Sequence, residues 1–392
     1  MNKMLCVTLW CIGLALAPAA QDPAADDTLE IVLPRHVYAV SGIECNVYFE
    51  DVILALNLDN YAVDVSCSKG LQQSERWTFT PKAEDAGAHE FAIRVCDAAN
   101  HVVADAASTL VVIREDAGKD QAVSALLIGD SLTHASIYSQ HLLDLCVPPN
   151  GPTLTLVGSH VPQEGAPLNR HEGYGGWTAK RFSTHYTGVA RTGNAKECGS
   201  PFLYEVEGGE KRLDFARYCV EVNGGRAPDF ITIFLGCNDT FGATDDTIDA
   251  SIDDMFSHLD TLIEMIRRDA PDAWIGLLPP VGPAATQDAF GANYACGQTR
   301  WQYRRNQHRD IVRMLERYEG REAERIAIVP AYVNLDCVHN YPLVAAPCNA
   351  RSAIEVSRLN NGVHPAAEGY RQIGDAIYAW MKSILATAPS SP

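Results

Sequence analysis

Residues Ala122 to Ile128 form a nearly continuous apolar run that ends at Gly129-Asp130-Ser131-Leu132. A run of that length, bounded by a turn signal, is what a central parallel strand buried on both faces requires. Parallel strands need crossovers, usually helical, and the sequence downstream supplies them. Helical spacing predicts helices over Leu132 to Leu145, Leu213 to Val222, Thr247 to Arg268, Thr299 to Tyr318 and Pro365 to Leu385. Between them lie strand candidates Thr153 to Val157, Phe230 to Leu235, Trp274 to Leu278 and Ile326 to Val329. Strand and helix in repetition imply an α/β chain with a doubly wound, five-stranded parallel sheet over residues 121–388.

The sequence before the run reads differently. From about Glu30 to Val112 it consists of short β patterns separated by turn residues, among them Val37 to Val40, Cys45 to Phe49, Trp77 to Thr80 and Phe91 to Val95. Alternation, short spacing and the lack of a helical period predict a small all-β sandwich of immunoglobulin-like type over residues 28–115. The polar stretch 114–121 reads as the linker.

Residues 1–20 carry Lys3, an apolar stretch from Met4 to Leu16, and the small residues Ala17-Pro18-Ala19-Ala20. That order is the pattern of a cleaved signal peptide. The apolar stretch is short for a membrane span of roughly 20 residues. The expectation is a secreted, periplasmic or cell-envelope protein with no membrane span after cleavage. The formal net charge of −18 repels phosphate backbones, so nucleic acid is not an expected partner. Ten cysteines follow the signal, none in a close Cys-x-x-Cys pair, so no metal site is indicated. Cys337 and Cys348 bracket one short loop and are the first choice for a disulfide.

In doubly wound sheets ligands bind at the carboxyl ends of the strands, and the chemical motifs fall there. Ser131 opens a helix, where free N–H groups favour developing negative charge; an ordinary N-cap serine would look the same. Gly236-Cys237-Asn238-Asp239 follows the third strand, and Asn238 can aim an amide N–H at an oxyanion. Gly173-Tyr174-Gly175-Gly176-Trp177-Thr178 is a glycine-rich loop whose N–H groups can approach a substrate oxygen. Asn361-Gly362-Val363-His364-Pro365 precedes the last helix, and His364 is the candidate general base.

Serine, glycine, asparagine and histidine in that order, on these elements, resemble the SGNH (GDSL-type) hydrolase family over roughly residues 122–387. The resemblance implies a flavodoxin-like sheet, Ser131 as nucleophile and His364 as base. It also implies an oxyanion hole from the N–H groups of Ser131 and Gly176 and the Asn238 side chain, with no metal and no organic cofactor. Asp130 and Asp239 are expected to be structural. Members are esterases, lipases and carbohydrate deacetylases.

One position departs from the family, which usually has Asp three residues before the histidine; here it is Asn361. Two readings stay open: Asn361 orients His364 in a dyad, or another acid substitutes, with Asp336 first and Glu355 and Glu368 behind it. Trp177, Tyr294 and Trp301 are candidate substrate-binding aromatics, the last two in or just after the aperiodic stretch Pro279 to Gln298. Arg300, Arg304, Arg305 and Arg309 make a basic helix face, for acidic sugars or for the protein's own carboxylates. The expected function is a serine esterase working through an acyl-enzyme, with O-acetyl groups on carbohydrate as substrate. The alternatives are lipid or small alkyl and aryl esters, or a weakly active or inactive glycan-binding protein. The expected partner is an acylated small molecule or polysaccharide.

Overall fold

A computed structural model describes residues 29–147, 149–162, 166–189 and 197–387. The leader expected over residues 1–20 lies outside them. Strand Ala122–Gly129 sits inside the parallel sheet. One of its edges pairs with Phe230–Phe234, which pairs with Trp274–Leu278, which pairs with Ile326–Ile328. Its other edge pairs with Thr153–Val157 and, at its C-terminal end, with the short strand Glu172–Gly173. Every pairing is parallel. In chain order of the five long strands the spatial order is 2-1-3-4-5, which reverses direction between Ala122–Gly129 and Phe230–Phe234. A crevice opens outside the carboxyl ends of strands at such a switch point.

Helices cover both faces. Ile248–Asp269 buries Ile252, Phe256, Leu259, Ile263 and Ile266, spaced three and four residues apart. Ala367–Thr387 buries Tyr370, Ile373, Ile377 and Trp380 in the same rhythm. Thr299 begins Arg300–Tyr318 by accepting from the Gln302 N–H with its hydroxyl.

The single helix expected over residues 132–145 is two, Ser131–His134 and Ile137–Leu145. The break is at Ser136, which has φ 63°. Its hydroxyl donates to the His134 carbonyl and lies 2.8 Å from His171 Nε2. Side-chain bonding of this kind stabilises a non-helical backbone that periodicity does not reveal.

The N-terminal region is all-β, as expected. One sheet orders His36–Val40, Val102–Ile113, Gly87–Cys96 and Ala62–Cys67 side by side; the other orders Cys45–Tyr48, Arg76–Phe79 and Leu71–Gln72. Trp77 from the second sheet meets Phe91 from the first edge-on at 5.0 Å. The core of this region is continuous with that of the α/β part. Val37, Ile93 and Leu110 belong to one hydrophobic cluster with Ala125, Leu127, Ile377 and Trp380 of the α/β part. The polar stretch 114–121 therefore connects two parts of one packed body.

Among the elements not anticipated, two lie beside the His364 loop. The stretch Pro279 to Gln298 contains a short helix, Gln287–Tyr294. An antiparallel hairpin, Leu343–Asn349 with Ser352–Leu359, leads straight into the His364 loop. Its residues are largely exposed, so no alternation marks it. The disulfide expected between Cys337 and Cys348 is not formed: buried Cys337 donates its thiol to Asp51 Oδ1, while Cys348 lies on the hairpin. No described helix is long and apolar enough to cross a membrane.

Candidate active site

The site assembles at the switch point. Asp130 caps the turn that carries Ser131, its Oδ1 accepting from the Leu132 N–H at 2.9 Å. Gly129 is required by close packing: a Cβ there would lie 2.0 Å from Thr133 Oγ1 and 2.9 Å from the Phe234 carbonyl. Ser131 Oγ lies 2.8 Å from Nε2 of His364, a residue more than 230 positions away in sequence. With Nε2 as the acceptor, the hydroxyl proton points at the atom that would take it.

Of the expected oxyanion residues, Asn238 is tied to Asp130, next to Ser131, and to Trp177, next to Gly176. Gly176 is exposed at φ +75°, with open space where a Cβ would stand. Among the described residues no acceptor is recorded for the N–H of Ser131 or of Gly176. Asn238 follows Phe230–Phe234, and its Nδ2 donates to Asp130 Oδ2 at 2.9 Å and to the Trp177 carbonyl at 3.1 Å. These two bonds fix the amide beside Asp130, and one would have to be shared or exchanged for it to serve an oxyanion.

Asp130 is thus placed behind Asn238, and Asp239 takes the Ala179 N–H at 3.0 Å. Burial, with the nearby Asp239 charge, raises Asp130 to about 7. Burial raises Asp239 to about 6. Neither makes a recorded bond to His364. Asn238→Ala is expected to lower kcat about 10²-fold, towards the lower end of what loss of one oxyanion donor costs, because two backbone donors remain. Steady-state kinetics on a nitrophenyl ester would check it, and a kcat within threefold of wild type would remove Asn238 from the site.

The support behind His364 differs from the sequence expectation in one respect. Asn361 Oδ1 accepts from the backbone N–H of Val363 at 3.1 Å and of His364 at 2.9 Å, so it shapes the loop. The substitute acids are not brought to the imidazole. Asp336 is engaged with its own neighbours: Oδ1 accepts from the N–H of Val338 and His339, and Oδ2 meets His339 Nδ1 at 3.0 Å and Tyr48 OH at 3.2 Å. Asp336 and His339 therefore form a local pair with the spacing sought at residues 361–364. Glu355 is exposed on the hairpin, and Glu368 pairs with Arg371. Among the described residues no carboxylate bonds to His364. Burial alone lowers its pKa from the ordinary 6.5.

The aromatics fare unevenly. Trp177 is fully buried, tilted against Tyr174 at 4.2 Å and edge-on to Phe182 at 4.9 Å; it is core and cannot face a sugar. Tyr294 is half-buried against Phe241 and Phe290. Trp301 is half-buried beneath Arg304 and Arg305. The basic face is satisfied internally: Arg300 binds Glu50, Arg305 binds Asp245, Arg309 binds Asp249, and Arg304 donates to three backbone carbonyls. Sequence reasoning missed Asn293 and Phe290, which contact Gly362 of the histidine loop. Their only signal was membership in an aperiodic stretch. No group of three or more described His, Cys, Asp or Glu side chains is placed to hold a metal ion.

Comparison with known proteins places this geometry. Residues 127–372, well over half of the chain, match the GDSL-like Lipase/Acylhydrolase family. The chain belongs to that family. In this GDSL-like acylhydrolase the matched region begins just before Ser131 and ends in the helix after His364. No curated protein matches the chain. Solved structures overlap with it in part. A carbohydrate esterase family 3 protein from Talaromyces cellulolyticus is 14% identical, covering 68% of this chain and 100% of that one at a TM-score of 0.37. The Clostridium thermocellum family 3 carbohydrate esterase is 16% identical, with 68% and 98% covered and a TM-score of 0.36. A carbohydrate acetylesterase from Sinorhizobium meliloti is 13% identical, with 67% and 99% covered and a TM-score of 0.38.

Proposed function

We propose that this GDSL-like acylhydrolase is a serine esterase in which Ser131 and His364 act as a dyad. The observation that carries the reading is the 2.8 Å contact between Ser131 Oγ and His364 Nε2 at the carboxyl ends of the parallel strands. Ser131 Oγ attacks the ester carbonyl as His364 takes its proton. The oxyanion is met by the N–H groups of Ser131 and Gly176 and by the Asn238 amide. His364 returns the proton to the leaving alcohol, and water then releases the acid by the same steps. Asp336 has no part in this scheme.

The base works only when neutral, and burial lowers its pKa. The acidic limb of kcat/KM is therefore expected to have its midpoint below pH 6.5, with activity falling as pH drops through it. A pH–rate profile with the limb above 6.5 would show that an unseen carboxylate supports the imidazole.

The substrate we favour is an O-acetyl ester on a carbohydrate. The leader pattern at residues 1–20 supports action outside the cytoplasm. Acetate release from a panel of acetylated polysaccharides, set against hydrolysis of long-chain glycerides, tests the choice. Faster turnover of the glycerides would make it a lipid esterase. The second reading, a weakly active glycan-binding protein, draws on Asn361 and predicts binding to the same polysaccharides without acetate release.

A further inference from the structure

We propose that Arg300 is a positioning residue for His364, and that Glu50 of the N-terminal β region holds it in place. The inference rests on the dyad reading and answers what orients a catalytic imidazole that no carboxylate supports.

Gly362, two residues before His364, is gripped at three points by the stretch 279–298. Its carbonyl accepts from the Ala284 N–H at 3.1 Å. Its N–H donates to Asn293 Oδ1 at 3.0 Å. Its Cα lies so close to Phe290 that a Cβ would come within 2.9 Å of the ring. The conformation of 279–298 therefore fixes the backbone from which His364 projects.

Arg300 fixes that conformation. Its Nε donates to the carbonyl of Ala284, the residue whose N–H holds Gly362, at 2.9 Å. The other arm of the guanidinium, Nη2, donates to Glu50 Oε2 at 2.8 Å. A planar fork can serve two acceptors at fixed angles, which a lysine cannot. Glu50 is itself anchored: Arg304, one turn along the same helix, donates to the carbonyls of Glu50, Ile53 and Ala55. The Arg300 side chain is only 17% exposed, while Glu50 is 42% exposed. A pair so placed contributes little to stability, and what it supplies is a fixed geometry. The route Glu50–Arg300–Ala284–Gly362 thus runs from the β region to the catalytic loop through three consecutive links.

The test uses the full chain with Arg300→Met, Arg300→Lys, Glu50→Ala and the Met/Ala double variant, assayed with 4-nitrophenyl acetate well below their melting temperatures. Each substitution is expected to lower kcat roughly 10- to 10²-fold with KM within twofold, since a displacement near 1 Å carries such a cost. The double variant should be no worse than the poorer single one, because both act through one bridge. Lysine at 300 should rescue less than half of the loss. A near-normal kcat in Arg300→Met overturns the proposal, as does a fully additive double variant. If the wild type shows no Ser131-dependent hydrolysis, the esterase reading fails first. The positioning claim is then decided by NMR titration of His364: a shifted imidazole pKa in Arg300→Met upholds it, and an unchanged one ends it.

Discussion

Ser131→Ala is expected to reduce 4-nitrophenyl acetate hydrolysis by roughly 10⁴- to 10⁶-fold while leaving the fold intact. The size follows from the role assigned to Oγ. It is the atom that would bond to the substrate, and where serine and histidine act as a unit, loss of either removes nearly the whole effect. What remains is the oxyanion donors acting on a water molecule. The fold should survive because the recorded side-chain bond of Ser131 is the one to His364. Loss of one half-exposed bond costs about 1 kcal/mol. Asp130 would still cap the turn, and Gly129 would still admit Thr133. Equal rates for wild type and variant, with matching melting curves, would end the esterase reading.

Asn361→Asp should act in the opposite direction, raising kcat roughly 10²- to 10³-fold and moving the acidic limb of the pH profile upward. In a serine protease the reverse change costs about 10⁴, and a chain adapted to a dyad should regain part of that. The molecule contains the template. Asp336 accepts from the N–H groups two and three residues on, at 2.9 and 2.8 Å, and its other oxygen reaches His339 Nδ1. Asn361 makes the same two backbone contacts, at 3.1 and 2.9 Å. An aspartate at 361 would therefore present its second oxygen to His364 Nδ1 without moving the loop. It would stabilise the imidazolium, raise the His364 pKa, and hold the tautomer that leaves Nε2 free for Ser131. A fall in kcat would show that the Asn361 amide itself is part of the working geometry.

What could be read from the sequence follows from how local each feature is. The parallel strands were legible because burial on both faces leaves nearly continuous apolar runs, as in Phe230–Phe234, interrupted by Thr232 alone. The meeting of Ser131 with His364, and of Asn238 with Asp130, was legible because strand ends of a doubly wound sheet converge, so the motifs carry their own address. Trp177 was misjudged because sequence does not say which way a ring beside a glycine turn points; Tyr174 and Phe182 decide that. Asp336 was misjudged because its partner, His339, is a local one that outcompetes any distant imidazole. The hairpin Leu343–Asn349 with Ser352–Leu359 left no trace because neither of its faces is buried. The shared core went unseen since a polar connecting stretch looks the same whether it separates two cores or crosses over one.

That shared core bears on how such a protein can change over generations. A binding module on a tether can be lost, duplicated or traded between genes while the enzyme carries on. Here Val37, Ile93 and Leu110 share one hydrophobic cluster with Ala125, Leu127 and Ile377, and the strands His36–Val40 and Val102–Ile113 pack against the last helix. Recombination at the polar stretch 114–121 would leave each half with an unfinished apolar face. The two parts are bound to be inherited together, and substitutions on one side of their contact will tend to draw compensating changes from the other.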